Sequence, residues 1–169
     1  MVAAGAGHEE IVAKLLAARA NPNVQDADGN SALMLAVSGR EDGSCYPRIV
    51  TRLLAAGADP NLKDVHGVTV LLTAAANGYE GIVRQLLAAN ADPNVRDNSG
   101  WTALVAAAED FGLDDEPAPG ARKRIVARLL AAGATPSLRF NGADVQTTPE
   151  IQAMVRNAAA AAERQRRRT

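Results

Sequence analysis

Aromatic residues are scarce in this 169-residue chain. They make up 3% of it: Trp101, Tyr46, Tyr79, Phe111 and Phe140. That scarcity excludes one large core built on aromatic anchors. It also argues against a β-sandwich or barrel, whose strands favour β-branched and aromatic side chains. Cysteine is reduced to Cys45, so no disulfide can close within the chain and a reducing compartment is expected. An excess of one charge is missing too. Eighteen Lys+Arg stand against 19 Asp+Glu, a net charge of -1, which excludes a bulk polyanion binder. No apolar run approaches the ~20 residues that span a bilayer. His8, Glu9 and Glu10 arrive too early for a secretory leader. A soluble cytoplasmic protein is the expectation, with the nucleus as the other location. What the chain holds in plenty is alanine, roughly a fifth of its residues and well above ordinary usage. Alanine is the best helix former, so many thin, closely packed helices are predicted.

A repeat organises those helices. Four segments share one pattern: Arg19-Ala20-Asn21-Pro22-Asn23, Gly57-Ala58-Asp59-Pro60-Asn61, Asn90-Ala91-Asp92-Pro93-Asn94 and Gly133-Ala134-Thr135-Pro136-Ser137. Each follows Leu-Leu-Ala-Ala, ending at Ala18, Ala56, Ala89 and Ala132, and Ile-Val stands before each: Ile11-Val12, Ile49-Val50, Ile82-Val83 and Ile125-Val126. Asp26, Asp64 and Asp97 follow the first three; their spacings, continued to Phe140, are 38, 33 and 43 residues. The basic unit is therefore 33 residues, lengthened in the second and fourth units. Ile82, Val83, Leu86, Leu87 and Ala89 fall on one helical stripe. Gly57 and Gly133 sit where a helix ends in a left-handed cap, and Asn90 tolerates that conformation next best. Proline then fixes φ in the turn, and the asparagine after it is expected to bond locally.

This pattern resembles the ankyrin repeat family over nearly the whole chain. The third unit carries the resemblance best, through Asp64, Gly67 and Thr69 with Leu71, then Ala74-Ala75-Ala76-Asn77-Gly78, Ile82-Val83 and Leu86-Leu87. Val70 and Leu72 replace the family's proline and histidine. The resemblance implies an all-α solenoid of about four helix-turn-helix repeats with short hairpin loops, plus a C-terminal capping helix. The expected divisions are a truncated first repeat over 1–25, repeats over 26–63, 64–96 and 97–139, and the capping helix with a basic tail over 140–169.

The ends and insertions add further expectations. Val2, Ile11 and Leu15 have little to cover them, so the first unit reads as a piece of a longer array. Thr147-Thr148-Pro149-Glu150 predicts a capping box opening a last helix. Arg164, Arg166, Arg167 and Arg168 end that helix, where cations suit its dipole; the other reading is a nuclear-targeting or nucleic-acid patch. Residues near 40–47 and 111–121 are insertions between the two helices of their units. They read as surface-loop drift or as a second binding edge.

The search for chemistry is nearly empty. His8 reads as a helix-start residue and His66 as a hairpin-tip side chain. With Cys45 remote from both, zinc spacing is absent, and Cys45 has no evident base. Asp110-Phe111-Gly112 lacks every companion motif of a kinase. Asp114-Asp115-Glu116 lacks calcium-loop spacing, and no Gly-rich phosphate loop is present. No catalytic residue, metal or cofactor is expected, nor a small-molecule substrate or a membrane. What remains is a surface. The resemblance implies that a protein partner meets the hairpin tips and the exposed side of the inner helices. Those positions are Asp28, Asn30, Val65, His66, Val68, Asn77, Ser99, Trp101, Glu109 and Asp110, with Lys63, Arg96 and Arg139 just before each hairpin. Trp101 should be exposed there as an interface anchor, or else fold back over the neighbouring hairpin. The function expected is a protein–protein interaction module presenting a rigid concave surface. The rivals are an accessory segment of a larger enzyme or effector, and nuclear or nucleic-acid targeting through the arginine run.

Overall fold

In a computed structural model, residues 1–38, 46–109, 120–140, 143–145 and 147–167 are described. Their helices come in pairs: α1 (Val2–Gly5) with α2 (Glu9–Ala17), α3 (Ala32–Ser38) with α4 (Pro47–Ala55), α5 (Val70–Ala76) with α6 (Glu80–Ala88), and α7 (Ala103–Ala108) with α8 (Ala121–Ala131). The first members stack as an inner row and the second members as an outer row, and α9 (Pro149–Arg166) packs against α8. The chain is thus an all-α repeat solenoid.

Composition explains the stack. The inner helices are short, and Ala36, Ala74, Ala75, Ala107 and Ala108 are fully buried in them, so neighbouring backbones approach closely. Leu33, Leu71 and Leu104 fill the same register on that row, while Ile49, Ile82, Ile125, Leu53, Leu86 and Leu129 do so on the outer row. A continuous buried cluster runs from Ala4 to Val155. Small hydroxyls start the inner helices. Ser31 Oγ accepts from Met34 N at 3.3 Å and Thr102 Oγ1 from Val105 N at 3.3 Å, each satisfying an N–H that the helix itself leaves unpaired.

The outer helices end as their sequence predicts, with one addition. Gly57, Gly133 and Asn90 adopt positive φ at 83°, 87° and 62°, and Arg19 does so in the same register of the first unit, at 60°. A β-carbon makes that conformation costly, so Arg19 is an exception that residue type alone does not announce.

Two differences from expectation lie at the C-terminal end. Ahead of α9 stand two short strands, β1 (Arg139–Phe140) and β2 (Ala143–Asp144), paired antiparallel as Arg139 with Asp144 and Phe140 with Ala143. They repeat, beyond the fourth unit, the arms closed by single bridges at Gln25–Ser31 and Lys63–Thr69. The capping box also does not form. Thr148, not Thr147, caps α9 by accepting from Ile151 N, which moves Glu150 one position too early to reach back. Glu150 pairs with Lys123 on α8 at 2.7 Å instead, and Thr147 Oγ1 is shielded without a hydrogen-bond partner. Cys45 and both insertions, apart from the residues at their edges, lie outside the described residues.

Candidate functional site

Each aspartate that opens a repeat organises an arm. Asp64 Oδ1 accepts from His66 N at 2.9 Å and Val68 N at 2.8 Å, while Asp64 N donates to Val68 O and Gly67 N to Asp64 O. Asp97 treats Ser99 and Trp101 likewise, at 2.9 and 2.8 Å, and Asp26 treats Asp28 and Asn30, at 3.1 and 2.8 Å. One carboxylate therefore pins the whole tip. The arms then bond to one another: Val65 N donates to Asp28 O at 3.0 Å, and Asn98 N to His66 O at 2.9 Å. Glycine makes this stacking possible. Gly67 has φ 77°, and a β-carbon there would stand 2.9 Å from Asn98 N; one on Gly29 would stand 2.8 Å from Asp64 Cα.

The tips form a continuous ridge. Asp28, Val65, His66 and Ser99 are exposed on it, and Asn77 is exposed at the end of α5. Val65 is the most open of the apolar tip residues, at 55%. Four other candidates depart from the expectation of exposure. Asn30 is half-buried because its side chain turns back to Asp26 Oδ2 at 3.3 Å. Val68 and Trp101 are half-buried, each with its backbone N–H held by the aspartate of its own arm. Glu109 is half-buried where α7 ends, with one carboxylate oxygen shielded and unpartnered and its carbonyl accepting from Arg122 Nη1 at 2.8 Å. Trp101 thus shows only part of its indole, between the two arrangements its position allows. Asp110 lies outside the described residues.

Sequence reasoning missed the polar seam that joins the turns after the outer helices of successive units. Asn61 was expected to bond within its own turn. Its local bond is a backbone one, Asn61 N to Asp59 Oδ1 at 2.8 Å. Its side chain crosses to the next unit, where Nδ2 donates to Asn90 O at 3.2 Å and Oδ1 accepts from Asp92 N at 2.8 Å. Asn23 bridges to Gly57 O and Asp59 N, and Asn94 to Gly133 O and Thr135 N, in the same manner. The signal was present in the sequence: asparagine holds this register in three units and gives way to Ser137 in the fourth.

Charge reinforces the outer row. Glu9 at the start of α2 pairs with Arg48 and Arg52 on α4, and Glu80 at the start of α6 with Arg124 and Arg128 on α8, at 2.6 to 3.2 Å. Hydrogen bonds from Arg124 and then Arg128 hold the Glu80 carboxyl below its ordinary value. The Lys123 ammonium does the same for Glu150.

Among the described residues, no three His, Cys, Asp or Glu side chains gather into a group that could hold a metal ion, and no helix is long and apolar enough to cross a membrane. Two shallow cavities flank α9, of about 270 and 400 Å³. Among the described residues neither is lined by His, Cys, Asp or Glu, and the smaller one abuts the base of the β1–β2 arm at Leu138 and Val145. The arms offer an extended relief of side chains on a braced backbone. In comparisons with known proteins, a model described as ankyrin repeats in three copies matches residues 41–140, and a second, described as ankyrin repeats in many copies, matches residues 1–46. No curated protein matches the chain.

Proposed function

The chain belongs to the ankyrin repeat family, whose repeats are generally protein–protein interaction modules, and from that premise we propose that it binds a protein partner through the ridge of arms and the adjoining inner helices. The observation that carries this reading is the arm-to-arm bonding from Asp28 to Val65 and from His66 to Asn98. It turns three hairpins into one braced surface, so little conformational entropy is lost when a partner docks. Exposed Val65, His66, Ser99, Asp28 and Asn77 supply contacts. Half-buried Trp101 and Val68, with Asn30 and Glu109, supply a firmer floor, and Asp110, outside the described residues, is included on its sequence position alone. The role is binding without catalysis, in a reducing compartment such as the cytoplasm or nucleus.

The test begins with an affinity pull-down from the source cell using the whole chain. Trp101→Ala should then weaken the recovered partner about tenfold or more, the loss typical of a buried interface aromatic. The circular-dichroism spectrum and melting curve should keep their shape. If affinity and spectrum are both unchanged, Trp101 is bystander surface and the ridge is not the interface.

A further inference from the structure

The arms carry a column of cations with no counterpart in the second unit. The residue just before each hairpin aspartate is Gln25, then Lys63, then Arg96, and Arg139 opens the next arm in β1. All four are exposed. Lys63 Nζ reaches across to donate to Arg96 O at 3.1 Å, and Arg96 Nη1 donates to Gly100 O at 2.9 Å, beside Trp101. Two cations are therefore brought to the base of the arm that bears the indole, one repeat from Val68. Each keeps N–H donors to spare, because an ammonium has three and a guanidinium five.

The neighbouring aspartates do not cancel this column in geometry, although they do in formal charge. Asp64 and Asp97 are half-buried, and each accepts two backbone N–H groups inside its arm. Among the described side chains, the exposed acid of the ridge is Asp28, in the unit where glutamine replaces the cation. Chemistry therefore changes along the ridge, from polar and acidic in the second unit to apolar and basic in the third and fourth.

Resting on the interaction-module reading above, we propose that this part of the ridge recognises an extended acidic segment of its protein partner. The segment lays carboxylates along Lys63, Arg96 and Arg139 and an apolar side chain against Val68 and Trp101. Spacing sharpens the proposal. Packed helices stand about 8–10 Å apart, which sets the rise from one arm to the next. An extended chain in the polyproline II conformation advances about 3.1 Å per residue with about three residues per turn, so every third side chain faces the same way. Carboxylates three residues apart therefore meet successive cations. Exposed pairs of this kind are screened by salt, whose Debye length is about 8 Å under physiological conditions.

The experiment selects binders from a random twelve-residue peptide library against the whole immobilised chain, then measures synthetic copies of the selected peptides by fluorescence anisotropy. The neutral variant is Lys63→Gln with Arg96→Gln. Gln25 shows that glutamine suits this register, because its Nε2 makes the same cross-unit bond to Lys63 O, at 2.8 Å. Selected peptides should be enriched in Asp and Glu three residues apart around an apolar residue. They should lose affinity about tenfold on the double variant, and they should weaken as salt is raised. Peptides displaced by Trp101→Ala but without acidic enrichment, and indifferent to the double variant, would overturn the acidic-segment proposal while leaving the ridge as the interface. Selected peptides that bind independently of both Trp101 and Val68 would sink the ridge reading itself.

Discussion

The first and third units carry almost the same outer helix and meet different fates. Glu9–Ala17 and Glu80–Ala88 both begin with a glutamate that clamps arginines of the next unit, and both place Ile and Leu four residues apart. In the third unit, Ile82 and Leu86 are 2% and 0% exposed; in the first, Ile11 and Leu15 are 49% and 46% exposed, and Val2 is 86%. The difference is the neighbour. A solenoid's core lies between units rather than inside them, so an outer-helix residue of given type is core or surface according to what stacks against it. The opposite end shows the converse: α9 covers α8, and Leu129 is fully buried.

That comparison breaks most sharply on the leucines. Leu86→Ala should cost about 2–5 kcal/mol, as buried large-to-small changes do. Leu15→Ala, at the matching position, should cost under about 1 kcal/mol. Urea denaturation of both variants checks this, and equal losses would mean that the first unit's face is covered in solution. A smaller effect is expected from the polar seam. Asn61→Ala removes two cross-unit hydrogen bonds at an exposed site and should cost about 1–2 kcal/mol. Hydrogen exchange should show the loss spreading to the junction of the second and third units rather than staying in one turn.

The smallest effect belongs to Glu80, and it depends on pH. Arg124 and Arg128 lower its folded pKa below the unfolded value. Its stabilising contribution is therefore present above the unfolded value and is lost as pH falls through the folded one. Glu80→Gln should melt earlier than the parent chain at neutral pH, and the two melting curves should converge in acid. A gap that persists at low pH would assign the effect to packing rather than to charge.

Much of the fold was legible because helical periodicity and turn chemistry are local. The Ile-Val and Leu-Leu pairs, the alanine-lined inner helices and the caps at Gly57, Asn90 and Gly133 each depend on residues within a turn or two. The candidate surface was legible in position, since the Asp-x-x-Gly arms announce their tips. It was not legible in exposure. Val68 and Trp101 are half-buried while His66 and Ser99, held by the same two carboxylates, are exposed, and that difference does not follow from position in the arm. The seam escaped for a different reason. The side chain of Asn61 finds its partners 29 and 31 residues away, and a turn asparagine looks the same whether its amide bonds inward or across. The failed capping box was a shift of one residue, with Thr148 rather than Thr147 at the cap and Glu150 paired with Lys123 on α8.

By itself, the sequence determined the number of units, their helix pairs and the face on which the arms lie, because each of these is repeated and each is set by short-range sterics and burial pattern. Tertiary structure alone decided which equivalent residues are core, which asparagines act as bridges and which cations gather beside Trp101. These outcomes depend on the register between neighbouring units. Register arises from bonds such as Val65 to Asp28 and Asn98 to His66, which join residues more than thirty positions apart.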